Sequence, residues 1–411
     1  MSVNWAPSDF RDPSRGGRAA DRSQVRSTAR PTGATALGYR VELVEAARDG
    51  ASAAERRELA RRSLTRHPFQ LPGFEDTAPG RLAPANAKRL QVRDSAGRLM
   101  FSSPVTVRSL PLVGRHMTFG FWSIHYAPLG GPLIDADEAA SVLRHLFAFL
   151  GKRFRIRSLA FPFLRLKDPF AELLEAEAEA AGLTGSTANR HARAALHGPQ
   201  DAESFFNRTV SKKRRKEFAR LLRRLGDEGA VGFDTVREPA AVEAALERFL
   251  DLEAAGWKGR AGTALKRSGN RSDFVRAAVA ALAAEGHVHV DQLKLDGRPI
   301  AQLVRFSALG EAVAWKIAFD ESLGSFSPGV LLMIEVLSKC LDDPAIRRTD
   351  SLAIENHPMI DHIWRSRETI GDMRVALGWR GRVGLALFDL AAAGRKRARS
   401  LVLRLIGRRQ T

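Results

Sequence analysis

Two ionisable side chains near the end of one predicted strand are the first candidates for chemistry. Residues 312–319 have the composition of a strand, and the alternation of side chains along a strand places Lys316 and Asp320 on one face and Trp315 on the other. A carboxylate such as Asp320 can act as a general base when its surroundings bring its pKa toward neutrality. A Lys–Asp pair that only fixes the strand end is the alternative interpretation.

A run of cations opens the second half of the chain. Residues Lys212 to Lys216 are all Lys or Arg, and they lie near the start of a helix predicted over residues 204–225. The helix dipole disfavours cations at a helix start, so the run is better explained if Lys212 and Arg215 contact an anion. A solvated basic helix face is the alternative.

The sequence Ser327-Pro328-Gly329 follows the strand that carries Lys316, after a loop. Ser is a good N-cap and Pro suits the first helical turn, so a helix is predicted to start here. Gly lets a ligand approach the backbone, and the unpaired N–H groups of a helix start bind phosphate. These residues and Lys316 are therefore candidates for contacts to a phosphorylated ligand, although an ordinary capped helix would have the same sequence.

A glycine-rich loop after the helix predicted over residues 240–252 carries Trp257, Lys258 and Thr263. Trp257 could form a wall of a cleft, with Lys258 and Thr263 contacting a substrate. The alternative for Trp257 is that it fills the core beneath a turn.

Glu355 and His357 end the next predicted strand, residues 351–355, and could meet Asp320 and relay a proton. The tyrosines, Tyr39 and Tyr126, both belong to the first half of the chain. Tyr and His can both act as general acids. A tyrosine in this role would come from the first half, a histidine could replace it, or no protein acid is needed.

Other kinds of site have no support in the sequence. His287 and His289 share a strand face but lack the Cys or carboxylate partners of a metal site, and we expect no metal. There is no Walker-type phosphate loop and no Gly-x-Ser-x-Gly motif. The single cysteine, Cys340, lies in an apolar helical pattern and is predicted to be buried; one cysteine suits a reducing cytoplasm.

The predicted elements that must position these residues form two similar series. In the second half they run strand, two helices, three strands, loop, helix, strand, helix, strand, with Asp296-Gly297 as a hairpin signal. The first half has a looser version of the same order. We therefore predict a mixed α/β (α+β) fold of two tandem domains, residues 37–198 and 199–380, with mostly antiparallel sheets flanked by helices.

The charge of the chain indicates an anionic partner. The 411 residues carry a formal net charge of +19, and residues 373–411 hold ten Lys or Arg against one acid, Asp389. Residues 1–36 are predicted to be a disordered basic tail. Residues 381–411 are predicted to be a basic amphipathic helix that could lie on the inner face of the cell membrane, although a helix packed on the domain is the alternative.

The element order resembles the fold of the GCN5-related N-acetyltransferases (GNAT). Four segments in order resemble more specifically a bacterial acetyltransferase family related to the cellulose-biosynthesis protein CelD, itself similar to the Fem-type transferases. They are Ser211 to Lys216; Trp257-Lys258-Gly259 with residues 262–265; Ala318-Phe319-Asp320 with Ser327-Pro328-Gly329; and residues 357–361 with Trp364.

The resemblance implies an acyltransferase in residues 199–380 that moves an acyl group from acetyl-CoA or another acyl-CoA to an amine on a small-molecule, glycan or envelope substrate. The co-substrate would contact Lys212, Arg215, Lys316 and residues 327–329, and Asp320, Glu355 and His357 would be catalytic. Two alternatives stay open: a Fem-like transferase that uses aminoacyl-tRNA, and a non-catalytic scaffold of a membrane polysaccharide-synthesis complex.

Overall fold

A computed structural model describes residues 38–46, 51–110, 114–122, 125–387 and 390. The predicted N-terminal tail lies outside these ranges, as does most of the predicted C-terminal amphipathic helix. No helix within the described ranges is long and apolar enough to cross a bilayer.

The first half contains seven strands and four α-helices among its described residues, and the meander β2–β3–β4 is antiparallel. Their bounds are β1 (Arg40–Glu45), α1 (Ala53–Arg61), α2 (Pro72–Glu75), β2 (Ala87–Arg93), β3 (Leu99–Leu110), β4 (Gly114–Phe119), β5 (Leu133–Ile134), α3 (Ala139–Arg153), β6 (Ile156–Arg165), α4 (Pro169–Ala180) and β7 (Thr184–His197).

The second half has six strands in a similar order, preceded by two helices. Its elements are α5 (Ala202–Thr209), α6 (Lys212–Gly226), β8 (Val231–Val236), α7 (Pro239–Ala255), α8 (Trp257–Arg260), α9 (Gly269–Ala284), β9 (Val288–Leu295), β10 (Arg298–Ala308), β11 (Glu311–Phe319), α10 (Pro328–Leu341), β12 (Arg348–Asp350) and β13 (Ser366–Ala376). Short 3-10 helices occupy Glu321–Phe326 and Ile360–His362.

All thirteen strands join in one mixed sheet flanked by helices, which confirms the predicted fold class. The order along the sheet is β1-β2-β3-β4-β6-β13-β7-β12-β11-β10-β9-β8, with β5 beside β3. Only the pairs β4–β6 and β11–β12 are parallel among these strands. The two halves are linked because β13 lies between β6 and β7, and β7 pairs with β12. The exact domain boundaries stay a prediction.

Several local predictions need correction. The helix predicted over residues 204–225 is two helices, because Val210 is extended and the Ser211 hydroxyl accepts the Arg214 N–H to start α6. The strand predicted over residues 351–355 is instead β12, which ends at Asp350 because Leu352 has a positive φ. Cys340 is buried as predicted.

A shared apolar core holds the two halves together on one side of the sheet. Phe74 of α2 packs against Phe274 of α9, with ring centroids 5.4 Å apart. Phe306 and Trp315 of the second half lie 4.7 Å apart in the same cluster, and Phe74 reaches both rings. Burial of such aromatic rings stabilises the contact between the halves.

Buried ion pairs join the halves within the sheet. Asp350 at the end of β12 is fully buried and pairs with Arg193 of β7 at 2.7 Å and Arg165 of β6 at 3.3 Å. Arg165 also pairs with Glu311 of β11, and Glu311 with Arg348 of β12. Burial alone raises the pKa of Asp350, but the two guanidinium groups outweigh it, so the pKa lies below its ordinary value and the carboxylate stays charged.

We expect Asp350→Asn to lower the free energy of unfolding by about 3–5 kcal/mol, because it leaves two buried arginines short of an anion. Urea denaturation of the full chain measures this difference. Asp227→Asn, at the exposed end of α6, is the matched control and should change stability by less than about 0.5 kcal/mol. Equal effects of the two substitutions would show that the buried pairs contribute nothing specific.

Candidate active site

The second half contains a wedge between two parallel strands. β11 pairs with β12 only from Glu311 to Val313, opposite Arg348 to Asp350, although β11 continues to Phe319. No backbone hydrogen bond joins residues 314–319 to residues 351–357, all of which are described. The β11 edge beyond Val313 therefore has N–H and C=O groups without a strand partner, and such groups can bind a ligand.

Asp350 explains why the strands separate at this point. Its second carboxylate oxygen accepts the N–H of Leu352 at 2.9 Å, and Leu352 takes a positive φ of 53°. A side chain that bonds the backbone two residues ahead makes a turn and ends a strand. The chain therefore turns away from β11 immediately after the last pair.

The start of α10 lies at the open side of the wedge. Ser327 precedes Pro328 with a φ of 53°, and its side chain makes no capping hydrogen bond, so the predicted side-chain cap is wrong. A Cβ at Gly329 would lie 3.2 Å from the ring of Phe319 and 3.4 Å from the sulfur of Met359. A side chain at position 329 would crowd both residues, because α10 approaches both walls of the wedge.

The basic helix α6 lies beside this entrance. The Arg224 guanidinium lies 5.3 Å from the centre of the Phe326 ring, just before α10. At the other end of α6, Arg214 lies near His362: burial, and then the positive charge of Arg214, lower the pKa of that imidazole. His362 follows Met359 closely in the chain. Lys212 is exposed, whereas Arg215 is half-buried and its guanidinium bonds the side-chain oxygen of Asn207. Both predicted anion contacts therefore belong to a helix at the wedge.

Lys316 lies on β11, beside the wedge. Strand alternation predicts that Lys316 and Trp315 lie on opposite faces of the strand, but in the structure they lie on the same side. The register between β10 and β11 shifts at Val304/Arg305, so Trp315 forms a bulge and its ring lies on the same side as the Lys316 ammonium, 5.9 Å away. A bulge adds one residue and so changes which side chains share a face.

The first half of the chain completes the surroundings of Lys316. The ammonium donates to the carbonyl oxygen of His125 at 3.1 Å and lies 5.6 Å from the centre of the Tyr126 ring. Burial lowers its pKa to about 8 and the nearby charge of Lys258 acts in the same direction, while Glu253 opposes them. A lysine with this pKa is partly neutral near pH 8 and can accept a proton.

A small cleft adjoins Lys316 on the side of α7 and α8. It is lined by Leu252, Glu253, Gly256, Trp257, Lys258, Ile317, Ala318, Phe319 and Glu321. The predicted substrate residues Trp257 and Lys258 therefore do line a cleft, although they start a short helix rather than a loop. Thr263 is exposed, and its hydroxyl donates to the Lys258 carbonyl.

Glu253 and Glu321 shape this cleft, and sequence reasoning missed both. Glu253 is buried, pairs with the Lys258 ammonium at 2.7 Å and accepts the Leu265 N–H at 2.9 Å. Glu321 accepts the Trp257 N–H at 2.6 Å. The signal for Glu253 was present in the sequence, because it continues the apolar face of α7 formed by Leu246, Phe249 and Leu250.

The three predicted catalytic residues are not brought together. The Asp320 carboxylate accepts from the Ser322 hydroxyl and pairs with Arg298. These contacts hold its pKa below the ordinary value, which does not favour a general base. Glu355 is exposed and accepts the Ala192 N–H, and no contact joins Asp320 to Glu355 or to His357.

His357 lies on the other wall of the wedge, where its ring nitrogen accepts the N–H groups of Met359 and Ile360. Burial lowers the pKa of its imidazole. Within the described ranges, no group of three or more His, Cys, Asp and Glu side chains is arranged to hold a metal ion.

The comparisons with known proteins show that this mixed sheet is similar to the GNAT fold. Residues 212–357 match the family model of the acetyltransferase (GNAT) domain. That segment, which contains the wedge, α10 and the cleft, is therefore similar to a GNAT-type acetyltransferase domain. No curated protein matches the chain.

Among the solved structures that are similar to the chain, two share its fold over about four fifths of its length. The crystal structure of FemX has a TM-score of 0.52 at 10% identity, covering 79% of this chain and 96% of that one. The C-terminal domain (DUF2156) of a putative lysylphosphatidylglycerol synthetase from Agrobacterium fabrum has a TM-score of 0.51 at 14% identity, covering 83% and 96%. At these identities the likeness concerns the fold alone.

We expect the Lys316 ammonium to titrate near pH 8 rather than near 10.5. Lys258→Met should raise this pKa, because it removes a neighbouring positive charge and leaves Glu253 unpaired. NMR titration of the full chain with isotope-labelled lysine measures it, and Lys316→Arg assigns the signal. Lys266→Met is the control, because Lys266 pairs with exposed Asp251 and should leave Lys316 unchanged. If neither substitution changes the pKa of Lys316, the electrostatic coupling between Lys258 and Lys316 is contradicted.

Proposed function

We propose that this protein is an N-acyltransferase that moves an acyl group from an acyl-CoA, acetyl-CoA in the simplest case, to an amine. The observation that carries the proposal is the wedge between β11 and β12, with the start of α10 at its open side and Lys316 on its strand. The match of residues 212–357 to the acetyltransferase domain supports it. The resemblance to the CelD-related family favours an acceptor from polysaccharide or cell-envelope biosynthesis.

The wedge fits an extended thioester. The co-substrate would lie along the unpaired edge of β11, where backbone N–H groups can stabilise the oxyanion that forms during acyl transfer. Its phosphates would meet the N–H groups at the start of α10, and Lys212 and Arg215 of α6 supply positive charge nearby. This assignment keeps residues 327–329 as co-substrate contacts.

Lys316 suits proton transfer better than Asp320 does. The acceptor amine would bind in the cleft beside Trp257 and Lys258, and Ala318 of this cleft follows Lys316 on the same face of β11. Neutral Lys316 takes the proton from the amine, the amine nitrogen bonds the thioester carbonyl, and the carbon–sulfur bond breaks. The proton then passes to the departing thiolate.

A Fem-like transferase that uses aminoacyl-tRNA is the second candidate. It is favoured by the basic surface of α6, on which Lys212, Lys213, Arg214 and Lys216 are exposed and form no ion pair within the described part of the chain. Phosphate contacts of this kind make binding strongly salt-dependent. The same cations serve the phosphates of either donor, so the two candidates differ in the donor and not in the site.

We expect acetyl-CoA to raise the unfolding temperature of the full chain, by an amount equivalent to about 2.7 kcal/mol at one hundred times its dissociation constant. Lys212→Gln/Arg215→Gln should weaken this binding, measured by calorimetry. The control Lys152→Gln/Arg153→Gln removes the same charge from α3 and should leave it unchanged. No shift with millimolar acetyl-CoA, together with salt-sensitive retention of aminoacyl-tRNA over uncharged tRNA, would replace the first candidate by the second.

We expect Lys316→Met to lower turnover by about 10²- to 10⁴-fold while acetyl-CoA still binds, since a general base contributes a factor of this size. Release of CoA thiol from acetyl-CoA, measured with a set of amino sugars and α-amino acids as acceptors, provides the rate. Asp320→Asn tests the base predicted from sequence and should have a much smaller effect. The reverse order of the two effects would return the role to Asp320.

A further inference from the structure

The chain ends its described part with a helix whose outer face is apolar. Residues 379–387 are helical and directly follow β13. Trp379, Val383, Leu387 and Leu390 are exposed by 64%, 50%, 41% and 71%. Their spacing of four, four and three residues places them on one side of a helix. We call these four residues the apolar stripe. Large apolar side chains exposed as a group mark an interaction surface.

The apolar stripe cannot face the protein, because the opposite face of the same helix is already packed against it. Gly381, Gly384 and Leu385 are buried against the first half of the chain. A Cβ at Gly381 would lie 2.0 Å from the carbonyl oxygen of Arg157, so the helix backbone is in direct contact with the start of β6. The packing of Gly381 against β6 therefore leaves the apolar stripe facing the solvent.

Positive charges surround the stripe. Arg380 and Arg382 flank it on the same helix, and both are exposed. The Arg380 guanidinium lies over the Trp379 ring. The end of α3 lies next to the helix, because a Cβ at Gly151 would be 3.9 Å from Leu377. Lys152, Arg153 and Arg155 there are exposed and pair with no acidic side chain in the described ranges; together with Arg380 and Arg382 they form what we call the basic rim.

We propose that the apolar stripe and the basic rim dock this protein on an anionic lipid bilayer. The inference is independent of the proposed function. An interfacial helix buries one apolar face among the acyl chains while flanking Lys and Arg side chains meet anionic headgroups. An RNA partner would have no use for the stripe, and a second copy of this chain would bring two basic rims together.

The sequence beyond the described helix continues the same charge. Residues 391–411 contain seven Lys or Arg and no Asp or Glu. Each cation close to an anionic leaflet adds to binding, and the contribution falls off within about 8–10 Å at physiological salt.

Vesicle flotation of the full chain tests the docking surface. Vesicles of phosphatidylcholine with phosphatidylglycerol should bind the protein, whereas pure phosphatidylcholine should bind it weakly, and added salt should release it. Lys152→Gln/Arg153→Gln/Arg155→Gln should weaken binding by about 100-fold, from three lost cations near the surface. Val383→Ser/Leu387→Ser should abolish it without changing the circular dichroism spectrum.

The matched control is Lys212→Gln/Lys213→Gln/Lys216→Gln, which removes three cations from α6 and should leave vesicle binding within about twofold of the unchanged chain. Trp379→Phe keeps an aromatic side chain, so it should bind but lose most of the blue shift of tryptophan emission. The proposal is overturned if no phosphatidylglycerol vesicle binds, if the α6 variant loses as much as the rim variant, or if the stripe variant alters only self-association in sedimentation.

Discussion

The carboxylate of Asp350 makes two sets of contacts on which both the assembly of the halves and the shape of the active site depend. One oxygen pairs with Arg165 and Arg193 from the first half of the chain, and the other accepts the N–H of Leu352. The first set fixes β12 in a sheet that spans both halves. The second ends β12 and directs the chain away from β11. A single buried charge therefore joins the halves and opens the wedge.

This arrangement makes the site a property of the whole chain rather than of one domain. Lys316 belongs to the second half, but its ammonium bonds the His125 carbonyl and faces Tyr126, both from the first half. The Tyr126 ring also packs against Phe274 of α9, with ring centroids 5.3 Å apart, and this contact holds the loop against the second half. Because burial is the main cause of the lowered pKa of Lys316, and residues of the first half cover its ammonium, this pKa depends on the contact between the two halves.

Two basic surfaces among the described residues have different surroundings. The cations of α6 lie beside the wedge and have no apolar stripe, which suits the phosphates of a donor. The basic rim combines the end of α3 with the helix after β13 and borders exposed Trp379 and Val383, which suits a bilayer. Net charge alone indicates an anionic partner, whereas the apolar side chains next to each cluster distinguish one kind of anion from another.

The order of strands and helices follows from hydrophobic periodicity and turn residues, which are local properties. The sequence by itself therefore determined the fold class, the helix start at Pro328 and the burial of Cys340, whereas it left open whether Trp257 lines a cleft or fills the core. Contacts between distant residues were decided only by the tertiary structure. The bulge at Trp315 depends on pairing with β10, the end of β12 depends on Asp350 and its arginines, and the weak basicity of Asp320 depends on Ser322 and Arg298. The lowered pKa of Lys316 was decided by the tertiary structure for the same reason: a pKa is set by burial and neighbouring charge, and most neighbours of Lys316 come from elsewhere in the chain.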